Sequence, residues 1–253
     1  MESSQLQQIP KKSLKNNVYF KITTIIIIVL LLLVPTAMVH NLIQEREQTQ
    51  NQAIEEVSSK WAGAQTLVAP VLSIPYIKYV RETSKKDTTE KIVAVKDYIH
   101  ILPDNLEITG TINPEKRNRG IYDIVVYNSK VEITGTFKAL DFSTLDILPQ
   151  NIKLDKTEFV VGIDDLRGIE KQVELQWNNQ QLFFNPGVSS TDVVASGINA
   201  AVLVDPLQKE NYRFKLTLDL KGSQNLYFVP VGKVTDVKLN SSWPNPSFTG
   251  AFL

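Results

Sequence analysis

A mainly β domain, antiparallel and sandwich-like, carried on one N-terminal transmembrane α-helix, is the fold class this sequence predicts. Three observations predict it. Ile22 to Val39 run for 18 positions without a charge, stretches beyond residue 62 alternate apolar and polar side chains with a period of two, and turn residues separate those stretches.

At about 1.5 Å per residue the uncharged stretch covers about 27 Å as a helix, close to the ~30 Å hydrocarbon core of a bilayer. A cleaved signal peptide is the competing reading, but its apolar region is shorter and Pro35-Thr36-Ala37 places a proline where cleavage needs a small residue. Pro35 also removes one backbone N–H, so the helix is expected to kink or end there. Lys11, Lys12, Lys15 and Lys21 precede the span with only Glu2 against them. Lysine retained on the cytoplasmic side puts the N-terminus inside and everything after about His40 outside.

Residues 1–21 therefore read as a basic cytoplasmic tail, 22–39 as the transmembrane helix, 40–61 as a membrane-proximal helix and 62–253 as a β-rich extracytoplasmic domain. The chain has 27 basic and 27 acidic residues. The tail contributes +3 (four lysines less Glu2), which leaves −3 on the remainder. No stripe of cations interleaved with aromatics suits nucleic acid, so none is expected as a partner. The absence of cysteine excludes disulfides, thiol nucleophiles and thiolate metal sites, leaving an apolar core as the source of stability.

Leu67 to Val80 is apolar and β-branched but carries Pro70 and Pro75, which suits an edge or bulged strand. Residues 81–91 read as a charged loop, Ile92 to Ile101 as a strand, and Pro103-Asp104-Asn105 as a turn. Over residues 121–137, Ile121, Val125, Tyr127, Val131, Ile133 and Phe137 share odd positions, and Asn128-Ser129 is either a hairpin turn or a bulge. The strictest alternation is Tyr212 to Lys221, followed by a turn expected at Gly222-Ser223. Leu226 to Val231 and Val234 to Leu239 continue the pattern, giving antiparallel sheets packed as a sandwich.

Catalytic signals are sparse. His40 lies at the membrane boundary and His100 alternates within a strand, a setting that favours a hydrogen-bonded structural role, and neither has a partner at metal-ligand spacing. Nucleophile-elbow and phosphate-loop motifs are missing. Asp164 and Asp165 could serve glycoside hydrolysis on a membrane-tethered carbohydrate-binding or carbohydrate-active sandwich. Adjacent strand residues face opposite ways, however, and a turn with Asp165 paired to Arg167 is the simpler reading. In the terminal segment, Trp243-Pro244-Asn245-Pro246-Ser247-Phe248-Thr249-Gly250, two prolines stiffen the backbone and large aromatics offer anchors. A strand connection packed on the core is expected there, with a contact surface as the alternative.

In order along the chain, W-x-x-x-Q-x-L-V-x-P-x-L-x-I-P (Trp61 to Pro75), Arg119-Gly120-Ile121-Tyr122, Asp165-Leu166-Arg167-Gly168-Ile169 and the terminal S-x-W-P-x-P-S-F-x-G-x-F-L resemble the CreD family of inner-membrane proteins. The resemblance runs from residue 20 to residue 253. It implies a bacterial inner-membrane protein with residues 40–253 periplasmic, associated with cell-envelope integrity through contacts rather than catalysis. The bilayer and other envelope proteins are the implied partners, and no cofactor is implied. Trp61, Pro70, Pro75, Arg167, Gly168, Trp243, Pro244, Pro246, Ser247, Phe248 and Gly250 fall in these motifs, with structural or contact roles. Members of that family continue past W-P-x-P-S-F into several further spans, so the sequence reads as an N-terminal portion with its periplasmic domain truncated.

Overall fold

The computed structural model describes residues 18–83, 90–143 and 145–250. Most of the basic tail, the middle of the charged loop after Thr83, and Phe252 with Leu253 lie outside the described residues. One helix, α1 (Val18–Lys60), is long and apolar enough to cross a membrane. Pro35 lies inside it and does not end it, because the proline ring already holds a helical φ and its missing N–H removes one hydrogen bond from a 43-residue helix. The chain divides into two compact units between Gln52 and Ala53, and the last turns of α1 belong to the second.

Among the described residues that second unit holds twelve strands: β1 (Gln65–Thr83), β2 (Glu90–Ile101), β3 (Asn105–Arg119), β4 (Tyr122–Phe137), β5 (Glu158–Ile163), β6 (Glu174–Trp177), β7 (Gln180–Phe183), β8 (Asn185–Pro186), β9 (Gly197–Ala201), β10 (Tyr212–Ser223), β11 (Leu226–Val229) and β12 (Val234–Ser241). One six-stranded sheet runs β11-β1-β5-β9-β8, with β2 also paired to β1; the other runs β12-β3-β4-β10-β6-β7. Their inner faces share one apolar core that takes Leu72, Ile74 and Phe159 from the first sheet and Ile108, Ile133 and Leu216 from the second. At its centre the Phe159 ring meets Phe137, Trp177, Phe184 and Phe214, with centroids 5.1 to 5.9 Å away for the last three and 6.0 Å for Phe137. Such edge-to-face contacts add to area burial. The expected sandwich is formed.

Several local expectations change. The sheets are mixed, since β11 lies parallel to β1 and β12 parallel to β3. After β10 the chain crosses to the other sheet and then back, so neither strand closes a hairpin on its predecessor. Asn128-Ser129 is neither turn nor bulge: both residues sit in unbroken ladders with β3 and β10, and the buried Ser129 hydroxyl donates to the Leu220 carbonyl at 2.9 Å. The single odd-numbered face holds from Tyr127 onward, whereas Ile124 and Val126 are buried before it, Val125 is half-buried and Ile121 is 78% exposed at the hairpin tip. The turn expected at Gly222-Ser223 falls one step later, at Gln224, whose φ is +63°. Gly222 belongs to β10, and a Cβ there would strike the Tyr127 ring.

β1 has neighbours on both sides as far as Ser73 and continues beyond it paired with β2 alone, so that part of it is an edge. It accommodates its prolines in two ways. Pro70 sits where the register with β5 shifts between Val68 and Val71, so the missing N–H falls in a bulge. Pro75 lies past the last β5 pair, Ser73 with Glu158, and there its carbonyl accepts from Lys153 N–H at 2.8 Å.

Because Phe159 is fully buried among four aromatic rings, Phe159→Ala is expected to lower stability by about 3–5 kcal/mol. Chemical denaturation of the chain in neutral detergent measures it, and a loss below ~1 kcal/mol would contradict this account of the core.

Candidate functional site at the end of the helix

The last turn of α1 leaves carbonyls without helical partners and carries the negative end of the helix dipole. Trp61 N–H closes back on Val57 and Ser58 carbonyls at 3.1 and 3.3 Å, and the Arg167 guanidinium donates to the Ser59 carbonyl at 3.0 Å. Around this helix end the first three quoted motifs gather. Arg119, just before the β3–β4 turn at Gly120 (φ +59°), bonds Glu56 at 2.7 Å. The Trp61 indole N–H donates to the Tyr127 carbonyl at 3.3 Å, and Arg117 and Lys221 stand 5.0 and 4.8 Å from its ring centroid. Cations over a tryptophan ring contribute about 0.5–1 kcal/mol each where exposed. Ser58 and Ser223 hydroxyls share a hydrogen bond of 2.8 Å.

Beneath this surface lies a knot of polar groups. Gln65, fully buried, donates from Nε2 to the carbonyls of Asp165 at 2.9 Å and Lys221 at 3.0 Å, while its Oε1 accepts from Asp165 N–H at 3.2 Å. Gly168 packs so closely that a Cβ would strike the Lys221 carbonyl and the Gln65 amide. Asp165 accepts from Gly63 N–H at 2.9 Å and Arg167 N–H at 3.1 Å, and binds the Arg167 guanidinium through both oxygens at 2.9 and 2.7 Å. Those guanidinium bonds, aided by the two backbone N–H groups and opposed by burial, hold the Asp165 carboxyl at a pKa of about 2, below its ordinary 3.8.

Among the motif residues, Trp61, Arg167 and Gly168 meet here. Pro70 and Pro75 lie further along β1 as strand-shaping residues. Trp243 is half-buried, whereas Pro244, Pro246, Ser247, Phe248 and Gly250 are exposed, Phe248 by 78%. The terminal motif is therefore not packed on the core within the described residues: its prolines follow an edge strand with no facing sheet to cover them. Sequence reasoning singled out neither Arg117 and Lys221 nor Glu56. The Gln of W-x-x-x-Q, a lone amide at the mouth of an apolar strand, and the Asp165–Arg167 pair were the available signals of the knot.

The remaining candidates have structural surroundings. His40 bonds the Gln44 amide at 3.1 Å within α1. His100 lies opposite Ser73, whose hydroxyl is 3.1 Å from Nδ1, with an Asp192 carboxylate oxygen 3.7 Å from Nε2. The Ser73 side chain is buried within β1. Asp165 is held by Arg167 and by backbone, which leaves the carbohydrate-active reading without support. Among the described residues no group of three histidine or acidic side chains could hold a metal ion.

Depression of the Asp165 pKa stabilises the fold above the ordinary value of 3.8, and that contribution is lost as pH falls through it toward about 2. Asp165→Asn is thus expected to lower the melting temperature at pH 6 and to converge with the unmodified chain near pH 2. Circular-dichroism melts across that range check it; a constant difference at every pH would refute it.

No solved structure matches the chain. It is 30% identical over 241 residues to the inner membrane protein CreD of Escherichia coli (strain K12), an alignment covering 95% of this chain and 52% of that protein. The chain thus spans about half the length of the curated relative it matches. A family profile described as inner membrane protein CreD matches residues 17–253, and the residues gathered around the end of α1 come from three segments of that match. The chain belongs to the CreD family.

Proposed function

We propose that this chain anchors and presents the periplasmic sandwich of a CreD-type protein, with the N-terminus cytoplasmic and residues 40–253 periplasmic, and that it serves cell-envelope integrity by bearing contacts, not by carrying out a reaction. Its partners are the lipid bilayer and other envelope proteins. The observation that carries this reading is the convergence of Trp61, Arg119 and Asp165 to Gly168 on the end of the transmembrane helix. Those residues are engaged with one another and with backbone, an arrangement that ties the last turns of α1 to the sheets. The lysine excess before the span supports the orientation.

Two outcomes are expected. Since the chain has no cysteine, Ser13→Cys and Asn179→Cys give single reporters, and a membrane-impermeant maleimide added to cells with a permeabilised outer membrane should label position 179 and spare position 13. The reverse pattern would overturn the orientation. Arg167→Ala, introduced at the chromosomal copy, should lower detergent tolerance at unchanged membrane abundance. Full tolerance together with a lowered melting temperature, showing that the helix end had loosened, would sink the contact role.

A further inference from the structure

Beyond Ser73, β1 leaves β5 and continues with β2 alone as a two-stranded arm. At the base of that arm is a cleft of about 380 Å³, within the ~300–1,000 Å³ range of small-ligand sites. Pro75 and Ile77 give it an apolar floor; Lys96 and Tyr98 line it from β2, and Lys153 and Lys156 line it from the segment before β5. That segment is fixed: Lys153 N–H bonds the Pro75 carbonyl at 2.8 Å, Ile152 bridges Tyr76, the Thr157 hydroxyl donates to Leu154 O at 2.8 Å, and Val202 N–H to Thr157 O at 3.0 Å.

Three lysines therefore line one cleft in a domain that is otherwise mildly acidic. Lys96 is steered by the Tyr98 ring, 4.8 Å from its centroid, and Lys153 donates only to the Gln150 carbonyl, at 3.2 Å. Lys156 has Asp155 at 4.0 Å, the outer limit of an ion pair, with both side chains more than 70% exposed. The other acid, Glu158, is drawn under the neighbouring loop, where Ser189 donates to its Oε1 at 2.7 Å and its Oε2 is buried. The three lysines thus share the cleft with two carboxylates, Asp155 and Glu158, which leaves it an excess of one positive charge. Ammonium groups are compact donors suited to phosphate as point charges, and an apolar floor suits the C–H face of a short carbon chain.

We infer that this cleft binds a phosphate ester of a small polyol, with Lys96, Lys153 and Lys156 on the phosphate and Pro75 and Ile77 beneath the polyol carbons. The ester could reach it as a soluble molecule or as the headgroup of a phospholipid. Neither source depends on the contact role proposed above, and the test reads binding alone.

Calorimetric titration of the whole chain in neutral detergent and phosphate-free buffer, with sn-glycerol 3-phosphate as probe and glycerol as the uncharged control, tests it. Saturable binding of the ester alone is expected, weakened by added salt. Each of Lys96→Gln, Lys153→Gln and Lys156→Gln should weaken it about 3- to 10-fold, a tenfold loss being 1.4 kcal/mol, while Lys209→Gln, outside the cleft, should leave it unchanged. Ala201→Phe, which fills the cleft without altering charge, should abolish binding, so a folding defect in the lysine variants does not decide the matter. Competition by phosphatidylglycerol vesicles supports the headgroup source, and its absence alongside soluble binding supports the free ester. No saturable binding up to about 10 mM ester at low salt, or binding retained by both Ala201→Phe and the triple lysine variant, overturns the inference.

Discussion

One buried amide closes the sandwich at the end where the helix arrives. Gln65 belongs to the first strand of one sheet, and its side chain bonds the backbone of the turn after β5 and the carbonyl of Lys221 in the other sheet. Removing it would leave the Asp165 N–H without its acceptor, at about 1–3 kcal/mol, and the Asp165 carbonyl with the Gly168 N–H at 3.1 Å. Everything on the surface above depends on that tie. Asp165 can present its carboxylate to Gly63 and Arg167 because its own backbone is held, and Arg167 can cap the helix because Asp165 aligns its guanidinium. Glycine at 168 is the steric condition for all of it.

The two ends of this stability differ in kind. The Phe159 cluster draws on apolar burial and aromatic geometry, neither of which responds to ionic strength in the way a surface ion pair does. The helix end is built largely of exposed or half-exposed charges, Arg119 with Glu56 and Arg167 with Asp165, whose separate contributions are small unless they act together. They do act together here, because both guanidinium groups engage the last turns of the same helix.

The transmembrane helix, the strand from Tyr212, and the Asp165–Arg167 pair were legible in the sequence because each rests on local spacing. Sheet order was not. Parallel partners such as β11 with β1 lie far apart in the chain, and a period-two pattern records which face a strand buries without naming its neighbour. Asn128-Ser129 read as a break because polar dipeptides usually are; flanking strands on both sides supplied the missing hydrogen bonds. Gly222 read as a turn residue, whereas its small size serves the close approach of Tyr127. The motif series was visible as a series, but that its first three members would meet at one place required the fold.

The bulge at Pro70 has a consequence for chain length. Before it Leu67 and Ala69 turn toward the core; after it Leu72 and Ile74 do. An odd-numbered phase becomes an even-numbered one. Ala69 and Pro70 together stand opposite Val161, so removing Pro70 would straighten the strand and leave Leu67, Ala69, Leu72 and Ile74 inward, whereas removing a residue elsewhere between Trp61 and Pro75 would either detach the tryptophan from its cations or rotate Ser73 and Pro75 inward in place of Leu72 and Ile74. The interval from Trp61 to Pro75 acts as a ruler with one spare division, and the bulge at Pro70 is the place where a residue can be lost without changing the phase.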